Sequence, residues 1–262
     1  MLRLRKVHRN VDTESSIDVS EVDGVRNLHI GNDTVQSAMR LRAPFELELR
    51  YTRGMMTYML FNPEVKDVLV LGLGGGSVPK YIHYHLPHVK VRAVEIDPRV
   101  IRIARSHFET PEDDERFSII EGDGAQYLRE HPATTQVLML DAYGSDGIPP
   151  ALATQEFFDV CREALQEDGI CLFNLWGSDR NFDVYLQRIE TSFDGRVLVL
   201  PTGRPGNIVV LAFRRLPTEL RWAKLREWAK ALEQFHRIEF LDFVERLREN
   251  NPGSEHRLRM EN

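Results

Sequence analysis

From residue 68 onward, short, mostly apolar runs alternate with stretches whose apolar residues recur at helical spacing. The runs fall at 68–71, 91–96, 117–120, 137–140 and 170–175. Runs without polar alternation suit strands buried on both faces. Between them lie helical patterns at 78–86, 99–108, 155–169 and 179–193, with a shorter one after Gly124. Asp97-Pro98 reads as an N-cap followed by Pro at the first helical position of RVIRIARSHF. Thr154 caps QEFFDVCREALQEDG, which Gly169 closes. Strands with helices between them predict a mostly parallel, doubly wound α/β sheet with helices on both faces. Residues 197–200 and 208–213, joined by PTGRPGN, predict an antiparallel pair that closes this sheet.

The ends of the chain carry different patterns. Residues 1–15 are polar and charged and predict a frayed segment. Ile17, Val19 and Val22 lead into Asp23-Gly24, a strong hairpin signal, and Val25, Leu28 and Ile30 follow. A second turn at Gly31-Asn32-Asp33 precedes Thr34-Val35-Gln36. Pro44 opens a predicted helix, FELELRYTRGMMTYMLF, which Asn62-Pro63 ends. Past Thr218, two amphipathic helices present apolar stripes to the body: Leu220, Trp222, Leu225, Trp228 and Leu232, then Phe240, Leu241, Val244 and Leu247. The division this implies is a small β-rich segment plus helix at 1–60, then a larger nucleoside-binding body with C-terminal helices at 61–262.

Composition narrows the class. Apolar content of 42% and charged content of 28% are those of a soluble globular protein. The net charge of −6 argues against a nucleic-acid surface. No run reaches the ~18–20 apolar residues needed to span a bilayer. The basic start MLRLRKVHRN has no apolar stretch behind it, as a secretory signal would need, so a cytoplasmic location is expected. Cys161 and Cys171 fall in a helical and a strand pattern and read as reduced core thiols.

Ligands of open α/β sheets bind beyond the carboxyl ends of the strands. Gly72, Gly74 and Gly76 lie in the loop after the first strand of the body, GLGGGS, where backbone must turn sharply and can pass close to a ligand. Glu95 ends the next strand, about 20 residues on, where an acid can accept hydrogen bonds from both ribose hydroxyls. Asp123, in EGDGAQYL, can accept from the exocyclic amine of adenine; capping of the following helix competes for it. Asp97 reads as the helix cap. Asp141 ends an apolar run and opens a Gly-, Ser- and Pro-rich loop, DAYGSDGIPP. No Lys or Arg follows the glycines where a phosphate loop needs one, so an S-adenosyl compound fits better than NAD or ATP.

VLVLGLGGGS, AVEIDP, IEGDGAQYL, LDAYGSDGIPPAL and the helix ending EALQEDGI together resemble the spermidine synthases, which are polyamine aminopropyltransferases. The likeness runs over roughly residues 16–215. The wider class I methyltransferase superfamily shares only the glycine loop and the acid at Glu95. The resemblance implies a Rossmann-like class I methyltransferase-type sheet with a small N-terminal β domain. It implies transfer of an aminopropyl group from decarboxylated S-adenosylmethionine, a co-substrate rather than a tightly bound cofactor, to a polyamine acceptor such as putrescine. Gly72, Gly74 and Gly75 would then line the donor, Glu95 hold its ribose and Asp123 its adenine. Asp141 would be the catalytic carboxylate, assisted by Tyr51, and Gln36 would border the polyamine pocket. A homodimer built through the N-terminal β segment is implied as well. Partners would be small molecules, with no nucleic acid and no membrane.

Three positions depart from the family pattern. Gly75 stands where the family usually carries an acid that grips the donor's aminopropyl ammonium. Losing such a charge-assisted hydrogen bond, about 1.5–3 kcal/mol, weakens that preference roughly tenfold to a hundredfold. It also removes the repulsion that excludes the carboxylate of intact S-adenosylmethionine. Gly144 replaces a second loop aspartate, for which Asp146 is the candidate substitute, and Gly203 replaces an acceptor-pocket tyrosine. Glu46 and Glu48 read as solvated. Two rivals follow: an S-adenosylmethionine-dependent methyltransferase on the same fold, invited by Gly75, and a non-catalytic nucleoside-binding homologue, invited by Gly144 and Gly203. His83, His85 and His88 lack the face and carboxylate partners of a metal site. Met55, Met56 and Met59 read as packing residues. No nucleophile-elbow serine sequence occurs.

Overall fold

The computed structural model describes residues 5–10, 16–142, 147–203 and 206–260. An antiparallel meander comes first: β1 (Arg5–Asn10), β2 (Ile17–Val22), β3 (Val25–Ile30) and β4 (Val35–Arg40), in that spatial order. Asp23 and Gly24 between β2 and β3 have φ of 51° and 77°, the left-handed pair that a two-residue hairpin turn demands. The segment expected to be frayed therefore contains a strand. Arg5 pairs with Glu21 and Asn10 with Ile17 through backbone hydrogen bonds, and one apolar residue in RKVHRN leaves no alternation to read.

Helix α1 (Arg50–Met55) continues into a 3-10 turn, Met56–Leu60. The predicted helix began at residue 45, five residues too early. The Arg53 guanidinium takes the carbonyls of Leu47 and Glu48 at 3.0 and 2.8 Å, and Phe45 stacks on Tyr84 with ring centroids 4.4 Å apart. Those contacts hold 45–49 outside the helix, and Leu49 enters it in an extended conformation.

The body then runs β5 (Asp67–Leu71), α2 (Ser77–His85), β6 (Lys90–Glu95), α3 (Pro98–His107), β7 (Phe117–Glu121), α4 (Gly124–Glu130) and β8 (Thr135–Leu140). It continues with α5 (Gln155–Ala164), β9 (Leu165–Trp176), α6 (Phe182–Ser192), β10 (Val197–Pro201) and β11 (Asn207–Phe213). Helices α7 (Trp222–His236) and α8 (Phe240–Asn250) complete it. Among the described residues the sheet has seven strands in the order β10-β11-β9-β8-β5-β6-β7. Strands β5 to β9 are parallel, while β11 and β10 close one side antiparallel. The order reverses between β5 and β8, which makes their carboxyl ends the switch point.

Helix α5 stops at Ala164, five residues before Gly169. Buried Leu165 already pairs with Thr135, after which the ladder jumps to Val137 with Ile170, so 166–169 loop out as an irregularity within β9. Both faces of the sheet are covered. Val68 and Val70 belong to one core cluster and Leu69 and Leu71 to the other. The first cluster also holds Ile17, Val19 and Leu28 of the meander, Met55, Met56 and Met59, and the buried faces of α7 and α8. Trp228, placed on the buried stripe by the pattern, is 45% exposed, and Leu232 and Leu241 are only partly buried. Cys161 and Cys171 are free and buried. No described helix is long and apolar enough to cross a membrane.

Candidate active site

The chain leaves β5 at Gly72, directly beneath the end of β8. Asp141 N–H donates to Leu71 O at 2.9 Å, and Gly72 N–H donates to Val94 O at 2.9 Å. Gly72 has φ +90°, and a Cβ there would lie 3.0 Å from Ala142 Cα and closer still to the Asp141 carbonyl. Only glycine passes. The loop it opens borders a cavity of about 350 Å³, whose wall also includes Gly74, Glu95, Asp123, Asp141, Tyr51 and Gln36.

Glu95 anchors this loop. Its Oε2 accepts from Leu73 N–H and its Oε1 from Asp97 N–H, both at 2.9 Å. Burial pushes its carboxyl pKa up, and the backbone donors pull it partly back. Asp97 caps α3, accepting from Arg99 N–H at 2.8 Å; the Arg99 guanidinium holds its pKa below the usual range. Asp123 does two things at once. It caps α4, accepting from Gln126 N–H at 2.9 Å, and it remains exposed on the cavity wall.

Gly75 does not reach that wall. A Cβ on it would come within 2.8 Å of both Phe108 Cδ1 and Ser37 Oγ. The place where the resemblance puts an acid is thus filled by a buried ring and a hydroxyl. Ser37 and Ser77, hydrogen-bonded through their hydroxyls at 3.0 Å, both line the cavity instead.

Asp141 stands where this cavity meets a second one of about 600 Å³. Its Oδ2 accepts from the Tyr51 hydroxyl at 3.1 Å and its Oδ1 from Asn174 Nδ2 at 2.9 Å. Burial raises its pKa, and the two donors oppose the rise. The Tyr51 phenol is held well above its ordinary pKa, first by burial and then by the Asp141 charge. Gln36 borders both cavities; its main-chain carbonyl takes the Tyr51 hydroxyl at 3.3 Å, and its side-chain Nε2 is buried without a partner among the described residues.

The second cavity is completed by Asn174, Trp176, Thr202, Gly203, Asn207 and Arg50. A Cβ on Gly203 would lie 3.2 Å from Arg50 Cδ, so the arginine stem occupies the space a side chain at 203 would take. Arg50 is paired with Asp242 and, at 3.2 Å, with Glu239.

Of the residues singled out in the sequence, Gln36, Tyr51, Gly72, Gly74, Glu95, Asp123 and Asp141 come together around these cavities, and Gly75 sits behind them. Asp146 and Gly144 lie outside the described residues. Glu46 and Glu48 turn to surface pairs, with His85 at 3.2 Å and with Arg40 at 2.5 Å. His83 faces Asp114 at 3.3 Å. Among the described residues no group of three or more His, Cys, Asp or Glu side chains is arranged to hold a metal. Asn174 and Asn207 were not anticipated. The available signal was a lone amide inside the apolar strand ICLFNLW; Asn207 looked like the end of a turn.

Residues 48–176 match the spermine/spermidine synthase domain. A polyamine aminopropyltransferase of Chromobacterium violaceum is 38% identical over 247 residues, spanning 94% of this chain and 95% of that one. A crystal structure of spermidine synthase in complex with the transition state analogue AdoDATO superposes with TM-score 0.72 at 21% identity, over 92% of this chain and 85% of that one. Human methyltransferase-like protein 13 in complex with SAH superposes with TM-score 0.65 at 27% identity, over 72% and 93%.

Proposed function

The chain belongs to the spermine/spermidine synthase family, and from that premise we propose that it transfers an aminopropyl group from decarboxylated S-adenosylmethionine to an amine of the polyamine class, such as putrescine. The observation that carries this reading is the position of Asp141: one carboxylate, gripped by Tyr51 and Asn174, on the wall common to two cavities.

In this reading the smaller cavity takes the nucleoside. Glu95 receives the ribose hydroxyls with the lone pairs that Leu73 and Asp97 leave free, and Asp123 receives the adenine amine. The sulfonium then points toward Asp141, and the acceptor amine enters from the larger cavity. The amine lone pair attacks the aminopropyl carbon attached to sulfur. A C–N bond forms, the C–S bond breaks, and its electron pair stays on sulfur as neutral methylthioadenosine leaves. The positive charge moves from sulfur to the new secondary ammonium, which later loses a proton.

Asp141 works on that charge. An ordinary aspartate, pKa about 4, is a weak base toward an amine of pKa about 10. Held in place by two donors and half-buried between the cavities, the carboxylate orients the amine and stabilises the ammonium as it develops. Assembly as a homodimer through the N-terminal sheet belongs to the same proposal and is read by sedimentation.

The test is methylthioadenosine release with decarboxylated donor and a panel of amines. Asp141→Asn is expected to abolish turnover while methylthioadenosine affinity stays within a few-fold; a variant at wild-type rate takes Asp141 out of the mechanism. A second reading, methyl transfer from intact S-adenosylmethionine, is favoured by one feature: the filled space at Gly75, which leaves no acid to grip the donor's ammonium or repel a carboxylate. Calorimetry with both donors separates the readings, since tighter binding of the intact donor supports the methyltransferase.

A further inference from the structure

We propose that Asn174 and Asn207 form a positioning relay for Asp141: Asn207 holds the carbonyl end of the Asn174 amide, and Asn174 thereby holds Asp141 as an oriented acceptor at the junction of the two cavities. The kinetic consequence rests on the aminopropyl-transfer reading; the structural one does not.

Asn174 sits in the apolar strand β9 and is 3% exposed, its side chain on the face opposite those of Phe173 and Leu175. A buried amide is costly unless both its ends are paired. Both are. Its Nδ2 donates to Asp141 Oδ1, and its Oδ1 accepts from Asn207 Nδ2, each at 2.9 Å. The amide cannot turn over without setting its carbonyl against the carboxylate and its NH₂ against another NH₂.

Asn207 is itself pinned. Its backbone pairs with Trp176 across the β9–β11 ladder, and its main-chain carbonyl accepts from Thr202 N–H at 3.0 Å and from Thr202 Oγ1 at 2.9 Å. Backbone register therefore seats Asn207 against Asn174, and the acceptor-only carboxylate at the far end gives the chain Asn207 to Asn174 to Asp141 its direction. With Tyr51 on the other oxygen, each carboxylate oxygen spends one lone pair and keeps one for an incoming cation.

The other charged or titratable groups near Asp141 among the described residues are Tyr51, which touches it, and four on the cavity walls. These are Arg50 on the larger cavity and Glu95, Asp97 and Asp123 on the smaller. None is altered by changing the two asparagines. Removing Asn174's N–H takes a donor from the charged form alone, which moves the carboxyl titration upward.

The experiment is a ¹³C-carboxyl titration of Asp141 in the nucleoside-free protein, the resonance being identified by its loss in Asp141→Asn. Asn174→Leu should raise the midpoint by about one pH unit or more. Asn207→Ala should move it the same way by less, and it carries the test if Asn174→Leu fails to fold. In the same order, the acid limb of kcat/KM should move to higher pH while nucleoside-donor KM stays within about threefold. Midpoints within roughly 0.3 unit of wild type in every variant that folds overturn the relay. Shifted midpoints in a protein that releases no methylthioadenosine with any amine keep the relay and sink the aminopropyl reading.

Discussion

At Gly75 the deciding quantity is space. The backbone there tolerates a side chain, but Phe108 and Ser37 stand within 2.8 Å of where its Cβ would be. Ser37 can rotate; the Phe108 ring, fully buried, cannot easily yield. Gly75→Asp is therefore expected to destabilise the fold by about 1–3 kcal/mol, read from urea midpoints, rather than simply to restore a grip on the donor's ammonium. Adding Phe108→Leu should recover part of that loss and favour decarboxylated over intact donor about tenfold or more, as a new charge-assisted hydrogen bond would. A single variant as stable as wild type would show that the ring moves aside, and that the acid's absence is a matter of selectivity alone.

A strand end followed by a helix start can give one carboxylate two duties, and Asp123 shows how to separate them. It caps α4 through Gln126 N–H and borders the smaller cavity. Asn caps as well as Asp, whereas Ala loses about 1 kcal/mol. Asp123→Asn should thus keep wild-type thermal stability and bind methylthioadenosine several-fold more weakly, while Asp123→Ala loses both; unchanged affinity in both variants would leave Asp123 a cap and nothing more. Elements with a strong local signature were legible in the same way. Asp97-Pro98 and Thr154 start helices where their side chains predict, and Glu95 and Asp141 mark strand ends because acids interrupt apolar runs. Where neighbours decide, the sequence misled. Arg53 draws the carbonyls of Leu47 and Glu48 out of α1, the pairing of Leu165 with Thr135 cuts α5 short, and β1 exists through backbone pairing with β2. Asn174 and Asn207 lie 33 residues apart and meet each other, and Asn174 meets Asp141, only through strand register, which no local pattern encodes.

Across the whole molecule, the two cavities draw on different parts of the chain. The smaller cavity is built mainly on the parallel strand ends, while the larger cavity borrows β4, α1 and the antiparallel β11. The C-terminal helices brace that borrowed wall. Arg53 of α1 reaches Glu239 at 2.9 Å and Arg50 reaches Asp242 of α8, while Tyr81 of α2 meets His236 of α7 at 2.9 Å. The last contact makes stability depend on pH. Burial, then the nearby His85, lowers the His236 pKa from 6.5 to about 4. Between those values the unfolded chain binds a proton that the folded chain refuses. The stability this histidine contributes is complete above about 6.5 and drains away as pH falls toward 4. Glu95 and Asp141, whose carboxyls are raised by burial, push the other way, so the comparison must be between proteins. His236→Gln keeps a hydrogen-bonding partner for Tyr81 and removes the titration. Its urea midpoint, measured from pH 7 to 4.5, should fall less steeply than wild type, and the two curves should converge or cross toward the acid end. Curves that stay parallel would mean that His236 accepts its proton inside the fold, with Tyr81 and α7 giving way locally rather than the whole protein losing stability.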